Sequence, residues 1–175
     1  MKLAAIQTKV KKGKRISRPE GLRLWREAEL LDLAEMANWV RYRHNPSPQV
    51  TFVVDTNPNY TNICLYHCGF CAFAKGRGSR SLRGPAYDLD LAEIARRTVE
   101  AAEAGATEVC LQGGIHPSYT GDTYLNIVAA VKAAVPAMHV HAFSPLEVWH
   151  GAETLGLSLT EYLTRLRKAG LATLP

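Results

Sequence analysis

Long apolar runs are missing from this sequence. Nowhere in its 175 residues is there the stretch of ~18 apolar residues that a membrane-spanning helix needs, so no such span is expected. The amino terminus is basic but has no apolar segment behind it, so it is not expected to act as a secretory signal. Cysteine is scarce, with four in the chain, and three of these crowd into eight residues. Disulfides that staple a secreted domain are spread along a short chain. A disulfide framework is therefore excluded, and a reducing, cytoplasmic setting is expected. Acidic residues are absent from the first 18 positions, which hold seven of the 21 Lys and Arg residues. The remainder carries 14 basic against 16 acidic side chains. Its body is not basic, and nucleic acid is not an expected partner. No internal repeat or low-complexity segment stands out.

Residues 1–17 read as a flexible basic arm. Residues 18–44 read as one helix, with Pro19 in its first turn and an apolar stripe of Leu22, Trp25, Leu30, Leu33, Ala34, Ala37 and Val40. Asn45-Pro46-Ser47-Pro48 ends it, so 18–48 form a helix and linker. From residue 49 onward strands alternate with helices. Strands are expected at 51–55, 107–112 and 138–143, with a fourth beginning at 171–174. The intervening helices start at Asp90-x-x-Glu93, before Tyr124, at Ser144-Pro145-Leu146-Glu147 and at Ser158-x-x-Glu161. Such alternation predicts a parallel sheet. The predicted fold is α/β: a partial (β/α) TIM-type barrel behind an N-terminal helical extension, with its chemistry in the loops after the strands. A closed eight-unit barrel takes ~250 residues. Residues 49–175 are thus expected to be the N-terminal half of one, a truncated chain or a half-barrel needing a partner, and inactive alone.

Cys64, Cys68 and Cys71 follow the first strand with the spacing C-x3-C-x2-C and Phe70 just before the last thiol. A cubane iron–sulfur cluster takes four ligands, and this loop supplies three. One iron is left open for a substrate or cosubstrate. Alternatives on these residues are a zinc site completed by His67 or His116, or three unconnected thiols. The fourth cysteine, Cys110, reads as a small core residue. Gly113 and Gly114 end the second strand, where glycine lets a backbone approach a ligand closely or simply shapes a turn. His139 and His141 alternate on one strand and share a face; Glu108 and Gln112 can join them if that face lines the barrel. Glu147 fits a capping box. Lys75, Arg77, Arg80 and Arg83 are a solvated loop face or a site for a substrate carboxylate.

The cysteine spacing with its preceding aromatic resembles the signature of the radical S-adenosylmethionine (radical SAM) enzymes. The resemblance implies a 4Fe-4S cluster whose open iron chelates S-adenosylmethionine, and one-electron cleavage of that cosubstrate to a deoxyadenosyl radical. It implies that Phe70 lies against the adenine, that Gly113 and Gly114 meet the methionine amino group, and that the Glu147 loop touches cosubstrate or substrate. The acidic residue usual after the two glycines is replaced here by Ile115-His116-Pro117. Together with 59–62, 69–73, 106–117 and 139–148, the chain is similar to a subgroup that comprises deazaflavin synthases, aminofutalosine synthases and dehypoxanthine futalosine cyclases. The deazaflavin branch implies a transferase that joins the hydroxybenzyl group of L-tyrosine to 5-amino-6-ribitylaminouracil. Its implied partners are an electron donor and a second radical SAM subunit or fused domain that completes the ring. Gln112, His116, His139, His141 and Ser144 are then the candidates for substrate contact. An iron–sulfur electron carrier or a zinc module is the non-enzymatic alternative.

Overall fold

A computed structural model describes residues 2–66, 68–69, 71–75 and 84–175. It divides into a unit of residues 1–51 and a unit of residues 52–175.

The first unit holds α1 (Leu3–Lys11), α2 (Arg18–Glu27) and α3 (Leu30–His44). The expected flexible arm is a helix for most of its length. Ile6 and Val10, one helical turn apart, are buried with Leu24 and Met36, and burial of that pair outweighs the local excess of positive charge. The charge is also partly satisfied. Lys9 Nζ lies 2.7 Å from Glu20, and Arg43 donates to the carbonyls of Val10 and Lys11 at the end of α1, at 3.3 and 2.9 Å. The single helix expected over 18–44 is two helices. Ser17 and Glu20 form a capping box at the start of α2, and Ala28 is extended, with φ −84° and ψ 140°. No glycine or proline marks this break. It lets Leu24 and Met36, from separate helices, join one core.

The second unit is built on a parallel sheet, β1 (Asp55–Thr56), β2 (Glu108–Leu111) and β3 (His139–Ala142), in the order β1-β2-β3. α4 (Leu91–Glu103) joins β1 to β2, α5 (Gly121–Ala134) joins β2 to β3, and α6 (Pro145–Thr154) and α7 (Leu159–Ala169) follow. Period-two alternation sorts the strands. Val109, Leu111, Val140 and Ala142 are buried in one core with Ile94 of α4 and Ile127, Val128 and Val131 of α5. Glu108, Cys110, His139 and His141 alternate with them on the other, half-buried face. The apolar face packs against α4 and α5, as the strands of a (β/α) barrel pack against its outer ring of helices.

β1 is shorter than the strand expected at 51–55, although Thr107 N donates to the Val54 carbonyl at 2.9 Å beyond the ladder. Its only strand neighbour among the described residues is β2. The fourth strand is limited to a parallel bridge between Thr173 and His141. Capping follows the sequence closely: Ser144 with Glu147 opens α6, Ser158 with Glu161 opens α7, and Gly170 closes α7 with φ 118°.

Helix packing is tight where α5 meets α6. A Cβ on Gly121 would stand 2.5 Å from the Gly151 carbonyl oxygen, a backbone atom that cannot swing away. Gly121→Ala is expected to destabilise the unit by about 1–3 kcal/mol, measured as a shift in the chemical denaturation midpoint.

Candidate active site

A cavity of about 410 Å³ lies at the C-terminal ends of the three strands. The loop after β1 contributes Asn57, Asn59 and all three clustered cysteines, the loop after β2 contributes Gln112, Gly113 and Gly114, and the loop after β3 contributes Ser144 and Leu146. Parallel strands present their outgoing loops at one end, which is why residues so distant in sequence meet.

The cysteine loop is closed at its base by backbone bonds. Lys75 N donates to the Asn62 carbonyl at 2.7 Å, and Cys64 N donates to the Lys75 carbonyl at 3.2 Å. The Asn62 side chain spans the same base, donating to Pro85 O at 3.1 Å and accepting from Tyr87 N at 2.8 Å. Lys75, expected on a solvated face or at a substrate carboxylate, is instead buried in this closure. Cys64 is half-buried, Cys68 and Cys71 are exposed, and none is disulfide-bonded. The Cys64 sulfur accepts from Tyr66 N at 3.4 Å and from Ile115 N at 3.3 Å. Amide donors of this kind stabilise a thiolate and tune a cluster.

Three thiols on one open cavity, one of them already served by two amides, fit a cubane. Among the described residues no three His, Cys, Asp or Glu side chains converge on a single ion; a cubane instead asks each thiolate to take its own iron. His116 does not join the thiols. Its Nδ1 accepts from Ser118 N at 3.2 Å and lies 2.8 Å from Ser118 Oγ. Its ring packs against Tyr119 with centroids 4.8 Å apart. His67, Phe70, Arg77, Arg80 and Arg83 lie outside the described residues.

The two glycines have a packing role not anticipated from their position. Neither has a positive φ. A Cβ on Gly113 would lie 2.4 Å from the Tyr60 ring, and one on Gly114 would lie 2.2 Å from the Ile63 carbonyl oxygen. They are glycines because the end of β2 lies directly on the segment that carries the cysteines. Gly114 N donates to Thr61 O and Leu65 N to Ile115 O, at 2.9 and 2.8 Å, so loop and shelf form one hydrogen-bonded piece.

Glu147 forms the expected capping box with Ser144 and has further partners. It does not line the cavity and is 1% exposed. Oε1 accepts from the Tyr60 hydroxyl and from Gly113 N at 3.0 Å; Oε2 accepts from Ser144 N at 2.7 Å and from the Ser144 hydroxyl. Both oxygens are taken by protein donors, and neither is presented to the cavity. Burial pushes its pKa up, opposed by the bonds from Ser144 and Tyr60. Burial, then the charge of Glu147, raises the Tyr60 phenol in turn. The Tyr124 hydroxyl, buried near these groups, has no hydrogen-bond partner among the described residues.

Gln112 and Ser144 line the cavity. His139 and His141 do not line it; they stand on the polar sheet face. His139 Nε2 and His141 Nδ1 lie 2.9 and 2.7 Å from the same Thr173 hydroxyl, and Glu108 lies 3.4 Å from His139. Cys110 lies on that face too, its thiol pKa raised by burial and by the charges of Asp55 and Glu108. Two site residues were not foreseen. Tyr60 is a lone aromatic in a polar run, and such residues tend to be buried anchors. Phe143, fully buried, has φ 69°. A bulky residue there costs about 1–3 kcal/mol, and no local pattern announces it.

Residues 58–175 match the Radical SAM superfamily. The chain is 54% identical over 127 residues to an FO synthase of Mycobacterium tuberculosis, spanning 73% of this chain and 14% of that protein. It is 45% identical over 174 residues to an FO synthase of Streptomyces coelicolor, spanning 98% of this chain and 20% of that protein. It is 44% identical over 168 residues to a 5-amino-6-(D-ribitylamino)uracil–L-tyrosine 4-hydroxyphenyl transferase of Methanocaldococcus jannaschii, spanning 93% of this chain and 45% of that protein. The chain thus spans less than half the length of these relatives. In fold it is similar to the FeFe-hydrogenase maturase HydG of Carboxydothermus hydrogenoformans, with a TM-score of 0.67 at 22% identity over 98% of this chain and 37% of that one. It is also similar to methylornithine synthase, with a TM-score of 0.60 at 16% identity over 95% of this chain and 57% of that one. No described helix is long and apolar enough to cross a membrane.

Because Gly114 abuts backbone rather than a flexible side chain, Gly114→Ala is expected to push the cysteine loop off the end of β2. Iron and sulfide uptake on anaerobic reconstitution should then fall to a small fraction of the parent protein's.

Proposed function

The chain belongs to the radical SAM superfamily, whose members use a 4Fe-4S cluster and S-adenosylmethionine, and from that membership we propose that it forms part of a deazaflavin-coenzyme transferase. The reaction is transfer of the hydroxybenzyl group of L-tyrosine to 5-amino-6-(D-ribitylamino)uracil. The observation that carries this reading is the juxtaposition of Cys64, Cys68 and Cys71 with the Gly113-Gly114 shelf on one cavity, in a chain so similar to the FO synthases and the archaeal transferase.

Cys64, Cys68 and Cys71 would hold the cluster as thiolates. When bound, cluster and S-adenosylmethionine supply a one-electron cleavage that starts hydrogen abstraction. Everything else falls to the chain's own groups. The Tyr66 and Ile115 amides hold negative charge on the Cys64 sulfur. The shelf offers backbone to the methionyl end of S-adenosylmethionine; Phe70, outside the described residues, is assigned to its adenine by the family resemblance. Gln112 and Ser144, at the same cavity, face cosubstrate or substrate.

The polar face of the sheet suits a polyhydroxylated, nitrogen-rich acceptor. A hydroxyl has one proton to give, so Thr173 cannot donate to both histidines at once. At least one imidazole must supply an N–H to it or turn toward a ligand. Glu108 beside His139 adds an acceptor for a hydroxyl or amine. An electron donor and a second radical SAM domain, fused or separate, complete the pathway from this product to the deazaflavin.

Anaerobic reconstitution of the whole protein with S-adenosylmethionine, reductant, tyrosine and the diaminouracil tests the reading, with products followed by mass spectrometry. Alanine at Cys64, Cys68 or Cys71 is expected to abolish both cosubstrate cleavage and product. His141→Ala is expected to leave cosubstrate cleavage intact while product falls by about tenfold, ~1.4 kcal/mol of transition-state stabilisation. Cleavage with no adduct from tyrosine in the parent protein would count against this substrate pair.

A further inference from the structure

One carboxylate joins all three loops of the cavity. Glu147 receives Tyr60 from the loop after β1, Gly113 from the loop after β2, and Ser144 from the loop after β3. Tyr60 lies four residues before Cys64 in the chain. Gly113 is the first residue of the glycine shelf. Ser144 caps the helix that carries Glu147 itself. An N-cap needs only the local Ser144–Glu147 exchange. The bonds from Tyr60 and Gly113 are additional, and they reach across 87 and 34 residues of sequence.

Two further features point the same way. Phe143, directly before Ser144, holds a left-handed backbone at φ 69°. It is pinned there by its amide, which donates to Leu111 O at 3.0 Å, and by ring contacts to Tyr60 and Tyr124 with centroids 6.2 and 5.0 Å apart. A strained residue persists only where its surroundings over-determine it. The second feature is the peptide between Gln112 and Gly113. There are no cis peptides among the described residues, so with its N–H turned to Glu147 its carbonyl points the opposite way. No described backbone or side-chain donor takes the Gln112 carbonyl, and Gln112 and Gly113 both line the cavity. A charged acceptor on one end of a peptide polarises the other. The Gln112 carbonyl is thereby the stronger acceptor for a cationic group.

We propose that Glu147 is a positioning residue for S-adenosylmethionine. It clamps the glycine shelf to the cysteine loop and, through the Gln112–Gly113 peptide, presents a polarised carbonyl to the ammonium of the methionyl group. Its negative charge thus acts from beneath the shelf, in a chain that has Ile115 and His116 where an acidic side chain would follow the glycines. This rests on the functional reading above. It separates two properties that a merely structural residue would not separate: cluster loading, set by the cysteine loop, and cosubstrate affinity, set by the shelf.

The test compares whole, anaerobically reconstituted parent protein with Glu147→Gln, Tyr60→Phe and Ser144→Ala. It reads iron and sulfide content, the dissociation constant for S-adenosylmethionine, and the electron paramagnetic resonance signal of the reduced cluster before and after S-adenosylmethionine is added. Glu147→Gln is expected to load a full cluster with the parent signal. Its dissociation constant should rise by about tenfold or more, and the change in signal on adding S-adenosylmethionine should be weakened. Tyr60→Phe and Ser144→Ala each remove one arm and keep the charge, so each should show a smaller rise with full loading. Parent-like affinity in cluster-loaded Glu147→Gln overturns the proposal. If Glu147→Gln fails to fold or to load, Tyr60→Phe decides, since Tyr60 does not line the cavity whereas Ser144 does: a raised dissociation constant with full loading supports the proposal, and a parent-like constant overturns it. A parent protein that loads its cluster but does not bind S-adenosylmethionine overturns the functional reading and this proposal with it.

Discussion

The site depends on how closely the end of β2 lies against the segment that carries the cysteines. Two backbones meet there with no side chain between them. A methyl group on Gly114 would fall 2.2 Å from the Ile63 carbonyl oxygen, well inside van der Waals contact. That approach allows the Ile115 amide to reach the Cys64 sulfur and Leu65 to bond back to Ile115 O. The first cysteine is therefore held from the end of β2 as well as by its own loop, while the other two thiols are exposed. Anchoring a ligand loop on a strand end is a general way to preorganise a metal centre.

Around this contact the unit stacks polar and apolar functions by strand alternation. Val109, Leu111, Val140 and Ala142 face the helices and pack the sheet against an apolar core. The intervening residues give a face of titratable and hydrogen-bonding groups, Glu108, Cys110, His139 and His141. The cavity with its three thiols sits at the strand ends, above that face. Cosubstrate chemistry and substrate recognition would thus occupy two adjoining regions of one surface, each supplied by the same three strands.

Much of this was legible in the residues, and the exceptions share a cause. Capping signals are local, so Ser144-x-x-Glu147, Ser158-x-x-Glu161 and Gly170 marked their helix ends correctly. Strand alternation placed Glu108, His139 and His141 on one face. The spacing of the cysteines pointed to the chemistry and, with the residues around them, to the superfamily that residues 58–175 match. Features that depend on distant partners were not legible. α1 was hidden because seven cations in the first 18 residues masked the buried pair Ile6 and Val10, whose partners Leu24 and Met36 lie on other helices. The break at Ala28 serves that same core. Glu147 was read as a cap with a cosubstrate contact, and it is a cap; but its bonds to Tyr60 and Gly113 exist only once three loops have converged. The glycines looked like a provision for ligand or a turn, whereas their first requirement is the segment beside them, the Tyr60 ring at Gly113 and the Ile63 backbone at Gly114.

On this reading three thiolates of the cysteine loop hold a cubane and leave one iron for S-adenosylmethionine. Mössbauer spectroscopy of the anaerobically reconstituted whole protein, recorded with and without S-adenosylmethionine, tests it most directly. The expected result is a cluster with acid-labile sulfide in which a single iron changes its environment when S-adenosylmethionine is added, the other three staying as they were. Absence of sulfide, or four irons unaltered by S-adenosylmethionine, would contradict it.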